Sequence, residues 1–203
     1  GASSLSVLIT AIGVSYFLQN AAMLMWGTDT KIFPTILEGT LTIGELSIHY
    51  LTLLTILSCI VIMVVLTMFI NKTKTGRAMR ACSEDKGAAS LMGINVNQII
   101  SITFAIGSGL AAIAAVLLCA TYPSVYPTLG SMPGIKAFTA AVLGGIGSIP
   151  GAFLGGLLLG VIENLARAYI STQLSDAIVF MVLIVILLIK PTGLLGKKVN
   201  VKV

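Results

Sequence analysis

Three stretches of this chain, 5–26, 50–70 and 99–120, each run for more than twenty residues without a charged side chain. A helix rises 1.5 Å per residue, so about 20 residues cross the ~30 Å of hydrocarbon in a bilayer. A chain with three such stretches is built for a membrane. The composition agrees. Of 203 residues, 57% are hydrophobic and 9% are charged, against about 25% charged in ordinary soluble domains, and mean hydropathy is +1.05. There is too little polar surface to cover a soluble globule and far too much apolar surface for a disordered chain.

Three further apolar segments follow. Residues 136–146 are short, 151–169 carry Glu163 and Arg167 near their end, and 177–189 are bounded by Asp176 and Lys190. The expected fold is therefore all-α, a polytopic membrane protein of about five or six transmembrane or re-entrant helices in a single domain over 1–203. The region 134–169 reads either as two crossings or as a re-entrant pair, since 134–146 is short for a span. Irregular backbone at membrane depth survives only where protein or water satisfies it.

Orientation follows from lysine and arginine in short loops. Lys72, Lys74, Arg77, Arg80 and Lys86 lie in 71–98, and Lys190, Lys197, Lys198 and Lys202 lie in the tail, which together hold nine of the twelve basic residues. Loop 28–49 has Lys31 against Asp29, Glu38 and Glu45. The first two regions are placed in the cytoplasm and 28–49 outside. Within 28–49, Leu41, Ile43, Leu46 and Ile48 alternate around Gly44, after an irregular lead-in at Pro34 and Gly39. That pattern predicts a small extracytoplasmic β-hairpin.

The net charge of +5 forms no basic stripe with interleaved aromatics, which argues against a nucleic-acid partner. Cys59, Cys82 and Cys119 lack metal or disulfide spacing, and His49 is the single histidine. The tail 193–198 lacks the spacing and hydroxyl of a phosphate-binding loop. Residues 145–150 place Pro150 where a dinucleotide motif needs glycine. Ser148 sits in no nucleophile elbow. No catalytic, cofactor-binding or metal residue is assigned, and the chain is not expected to be an enzyme.

The glycines suggest packing instead. Gly147, Gly151 and Gly155 recur every four residues, as do Gly156 and Gly160, and Gly107, Ala111 and Ala115 do the same earlier. Small residues at this spacing let helices approach closely in lipid. Pro150 and Gly151 are expected to break the apolar stretch, and with Gly144 and Gly145 they mark either a tight helical hairpin or part of a substrate pathway. Glu163 and Arg167 are four apart and can pair, either snorkelling at the outer interface or lining an outer mouth. Lys136 reads as an interface anchor, and Gln19 and Asn20 as hydrogen bonds between helices.

Loop 71–98 offers a short helix over 84–92. Ser83 is its expected N-cap, Glu84 and Asp85 suit its positive end, and Gly93 closes it. Ala88, Ala89, Leu91 and Met92 supply small and apolar faces. Such a helix either docks in a groove on a soluble partner or lies on the lipid headgroups.

Here the sequence resembles the permease subunits of bacterial ABC importers, in the branched-chain amino acid permease family of the LivH type. The resemblance rests on Gly76-Arg77-Ala78, Arg80-Ala81, Glu84-Asp85, Ala88-Ala89 and Gly93-Ile94-Asn95, on the run Ala137 to Ala152 with its GGIGSIPGA, and on Lys190-Pro191-Thr192-Gly193-Leu194-Leu195-Gly196. It covers essentially the whole chain. It implies that 84–92 is a coupling helix contacting cytoplasmic ATPase subunits, which would bind the ATP and magnesium. The older Glu-Ala-Ala importer pattern is altered here, since Asp85 follows Glu84. The resemblance further implies a second permease subunit, an extracytoplasmic substrate-binding protein, an aliphatic amino-acid substrate, and a bacterial inner-membrane location with a cytoplasmic C-terminus. Family members have further spans before Leu5, so the chain is expected to be the C-terminal part of a permease. Alternatives are a permease for urea or a sugar, or a secondary transporter or channel. A coupled carrier should place acidic residues mid-membrane, where Glu163 is the one candidate.

Overall fold

The structure is a computed structural model, and it describes residues 4–34, 39–43 and 46–196. Glu38, Gly44, Glu45, Lys197, Lys198 and Lys202 lie outside those residues. Contacts divide the chain into two compact units, one of 1–55 with 110–133 and one of 56–109 with 134–203.

The first unit begins with α1 (Ser4–Trp26), an uncharged helix with little buried surface. Asn20 bonds back to the carbonyl of Tyr16 on its own helix, while Gln19 Nε2 reaches Ser131 Oγ at 3.4 Å. Of the two expected interhelical bonds, one forms and the other is local. Strand β1 (Lys31–Ile32) follows, then β2 (Thr40–Ile43) and β3 (Leu46–His49). β2 and β3 pair antiparallel with Leu41 opposite Ile48 and Ile43 opposite Leu46, the hairpin that the alternation implied. β1 pairs with a distant partner, β4 (Ser124–Val125), which two residues of pattern could not announce.

Helices α2 (Tyr50–Lys72) and α5 (Val96–Thr121) have 23 and 26 residues and match the expected spans. α2 buries no residue and α5 buries Cys119. Gly107, Ala111 and Ala115 are exposed, and a side chain at Gly107 would meet open space. Their spacing therefore does not mark a packed face among the described residues.

In the second unit, α3 (Lys74–Glu84) and α4 (Lys86–Leu91) join α2 to α5. Three helices then fold against each other: α6 (Ser131–Gly144), α7 (Ile149–Tyr169) and α8 (Ser175–Ile189). α6 and α8 have 14 and 15 residues, about 21–23 Å of helix. α7 is long and apolar enough to cross a bilayer, as are α1, α2 and α5. One buried residue from each of the three helices, Leu143, Leu159 and Val179, makes the core, with Ala140, Val182, Leu183, Ile186 and Leu194 packed around it.

Pro150 does not break the apolar run. The break falls at 145–148, and Pro150 stands in the first turn of α7, where its missing N–H costs nothing. Ser148 caps the helix by accepting from Gly151 N at 3.1 Å.

Candidate functional site

The residues singled out by sequence gather at three places in the second unit. The first is the connection between α2 and α5. One residue, Thr73, separates α2 from α3. Its hydroxyl donates to the Phe69 carbonyl at 2.7 Å and accepts from Gly76 N at 3.0 Å, ending one helix and capping the next. Gly76 is buried, and a Cβ there would collide with the backbone of Phe69 and Ile70. The sharp corner therefore requires a residue without a side chain.

The expected helix over 84–92 is corrected. Glu84 is the last residue of α3, and Ser83 Oγ donates to the Arg80 carbonyl within that helix. The cap of α4 is Asp85, extended at φ −153°, whose Oδ1 accepts from Gly87 N at 2.7 Å and Ala88 N at 3.1 Å. The Asp85 carboxylate both accepts these bonds and meets the positive end of the dipole. The far end closes as expected at Gly93. Gly93 N bonds to Ser90 O and Ile94 N to Ala89 O, the paired bonds of a Schellman motif. Asn95 Oδ1 then accepts from Gln98 N at 3.2 Å and opens α5.

Ala89 is 3% exposed and packs within its own chain, whereas Leu91 and Met92 are 90% and 82% exposed and Ala88 is exposed beside them. The outward face of α4 is thus Ala88, Leu91 and Met92. α3, which periodicity did not reveal, carries Lys74, Arg77 and Arg80 on its exposed side.

The second place is a glycine seam. Gly151 and Gly155 on α7 face Gly144 and Ala140 on α6 so closely that a Cβ on Gly144, Gly151 or Gly155 would strike the opposing backbone. Gly147 is corrected: it lies in the turn before α7, with nothing within 4 Å of where its side chain would be. Gly160 also faces open space. Gly145 has φ +107°, a conformation that only glycine adopts readily, and it abuts Gly193 and Gly196. Leu194 N and Leu195 N donate to Leu143 O and Gly144 O, both at 2.9 Å. Lys190 Nζ donates to Leu194 O at 2.7 Å. The two motifs 137–152 and 190–196, far apart in sequence, are thus bonded backbone to backbone.

The third place lies at the opposite end of the same helices. Glu163 pairs with Arg167 as expected of i and i+4. Lys136 is no isolated anchor. Its Nζ lies 2.8 Å from Glu163 Oε1 on α7 and 2.7 Å from Asp176 Oδ1 on α8. The bond to Glu163 is a hydrogen bond, and the contact to Asp176 is held by charge at a poorer angle. Asp176 stands in the first turn of α8 and Arg167 in the last turn of α7, so both charges also suit their helix dipoles. Glu163 is six residues from the end of α7, about 9 Å inward. Sequence spacing could find the local pair but not the lysine that ties three helices together. Among the described residues, no three His, Cys, Asp or Glu side chains converge as a metal site.

The profile of the family described as branched-chain amino acid transport system, permease component, matches residues 3–187. The high-affinity branched-chain amino acid transport system permease protein BraD of Pseudomonas aeruginosa is 50% identical over 202 residues, covering 97% of this chain and 66% of its own length. The corresponding protein LivH of Salmonella typhimurium is 48% identical over 198 residues, covering 95% of this chain and 64% of its own. The fructose import permease protein FrcC of Rhizobium meliloti is 35% identical over 112 residues, or 50% of this chain and 31% of its own. The chain therefore spans just under two thirds of the length of BraD and LivH. No solved structure matches it.

Proposed function

The chain belongs to the branched-chain amino acid transport permease family, and from that premise we propose that it forms the membrane-embedded part of an ABC importer for branched-chain amino acids. The observation that carries the reading is the identity near one half with BraD and LivH over almost the whole chain. The similarity to a fructose permease is weaker and covers half the chain, which favours amino acids over sugars. Transport draws on ATP hydrolysed by separate cytoplasmic subunits. A second permease subunit and an extracytoplasmic binding protein complete the assembly, in a bacterial inner membrane.

The connection between α2 and α5 suits transmission of force. Thr73 and Asp85 are one-residue joints, both capped, and the longest uncoiled stretch before α5 is 92–95. A push on α4 moves neighbouring helices as bodies rather than being absorbed by slack. The outward face of Ala88, Leu91 and Met92 supplies a small residue for close approach and two apolar side chains for a groove on the ATPase.

The test is reconstitution with the cognate ATPase, second permease and binding protein. Uptake of labelled leucine, with neither ribose nor urea carried, supports the proposal, and uptake of ribose or urea in preference to leucine rejects it. Ala88→Arg should abolish substrate-stimulated ATP hydrolysis while the subunit still inserts. Retained coupling would remove α4 from the transmission path. Ala89→Arg is a test of folding instead, because Ala89 is buried. Orientation is checked with cysteines at Lys74 and Ser47, which should react with impermeant reagent from opposite sides of the membrane.

A further inference from the structure

Between Lys86 and Lys190 the chain has four charged residues, Lys136, Glu163, Arg167 and Asp176. The fold gathers all four into one cluster on three otherwise uncharged helices. Ionisable groups at such positions are costly and mark sites of function by default.

The cluster alternates in sign, from Arg167 through Glu163 and Lys136 to Asp176. It also keeps unused capacity of both signs. Both cations meet Glu163 on the same oxygen, Oε1, and Lys136 meets Asp176 on Oδ1. Glu163 Oε2 and Asp176 Oδ2 have no protein partner among the described residues. Arg167 commits one nitrogen, Nη2, of a guanidinium with five N–H donors. Arg167 and Asp176 are 42% and 35% exposed at the side chain, so this chain's own residues do not seal them off. Exposed aliphatic side chains adjoin them in sequence: Ile135 beside Lys136, and Ile170 and Leu174 between Arg167 and Asp176.

We propose that this cluster is a subsite for the head group of a zwitterionic, aliphatic α-amino acid. The ammonium group is received by Glu163 Oε2 and Asp176 Oδ2. The carboxylate is received by the free N–H donors of Arg167, which suit a planar anion. The alkyl tail lies against the neighbouring aliphatic side chains. The site rests on the reading that the chain transports amino acids, and it names residues that contact the substrate on its way.

The experiment measures thermal unfolding of the purified permease with its ATPase subunits in nanodiscs, without binding protein. Three probes are compared at tens of millimolar: leucine, 4-methylpentanoate, which lacks the ammonium group, and 3-methylbutylamine, which lacks the carboxylate. Leucine should raise the transition, because a ligand of the native state stabilises it, and neither analogue should. Asp176→Asn and Arg167→Gln should each lose the leucine shift, and Arg167→Lys should keep part of it. Equal shifts with all three compounds, or a leucine shift that persists in Asp176→Asn and Arg167→Gln, would overturn the proposal. If a variant fails to fold, the three-compound comparison on the unaltered complex decides. Absence of any leucine shift while the reconstituted importer still takes up leucine rejects the subsite alone. Absence of leucine uptake, with ribose or urea carried instead, rejects the transport reading on which it rests.

Discussion

α2 and α7 make an instructive pair. α2 has a mean hydropathy of 2.9 and buries none of its residues, whereas α7, at 1.6, buries Gly151, Gly155, Leu159 and Ala166. The less apolar helix is the better packed one. In water the order would be reversed, since apolar surface drives burial there. In lipid a leucine gains little by leaving the hydrocarbon, and helices associate through close backbone approach and polar contacts instead. α7 has both, with Gly151 and Gly155 near one end and Glu163 near the other. α2 has long aliphatic side chains, no glycine and, before Lys72 at its end, no charged residue.

The contrast is sharpest at glycine. Gly151→Leu should prevent assembly, a loss above about 4 kcal/mol, because the new side chain would strike the Gly144 carbonyl and crowd the capping Ser148 side chain. Gly107→Leu on α5 should change stability by no more than about 0.5 kcal/mol, since nothing lies within 4 Å. Purified yield and thermal unfolding midpoint measure both. Equal effects would show that an unseen partner packs on α5, or that the seam yields.

Charge gives the next largest effect. Lys136→Met leaves two carboxylates without their shared cation and should cost about 3 kcal/mol. Adding Glu163→Gln and Asp176→Asn to that variant should recover most of the loss, as read by unfolding of the multiple mutant against the single. No recovery would mean that the lysine stem, rather than its charge, holds the three helices.

A smaller loss than that of the lysine is expected at the turn. Gly145→Ala forces a side chain onto φ +107° against the 193–196 segment and should cost about 1–3 kcal/mol. Gly147 also has a positive φ, +91°, but faces open space, so Gly147→Ala isolates backbone strain from collision. The difference between the two variants measures how strongly the 190–196 segment presses on the turn.

What could be read from sequence follows the range of the forces involved. Span length, the β2–β3 hairpin and the Glu163–Arg167 pair depend on neighbours within a turn or a hairpin, and each was legible. The cap at Asp85 was missed by two residues because Ser83 and Asp85 are both good caps, and only the corner at Gly76 decides which helix claims Ser83. Lys136 bridging to Asp176, β1 pairing with β4, and Leu194 bonding to Leu143 join residues 40 to 94 positions apart, where no local periodicity reports the partner. The glycine spacing was half informative. It found Gly151 and Gly155, but the same interval drew in Gly147, which lies outside the helix.

The joints at Thr73 and Asp85 also set what lengths the connection tolerates. With one residue between helices, α2, α3 and α4 behave like successive threads of a screw. A single residue inserted within α3 would turn everything beyond it by about 100° and advance it 1.5 Å, carrying Ala88 and Leu91 away from any surface they face. Seven added residues would nearly restore the angle but displace α4 by about 10 Å. Insertions and deletions between 72 and 92 are thus closed at nearly every length, and variation in this loop must be sought in residue identity rather than residue number.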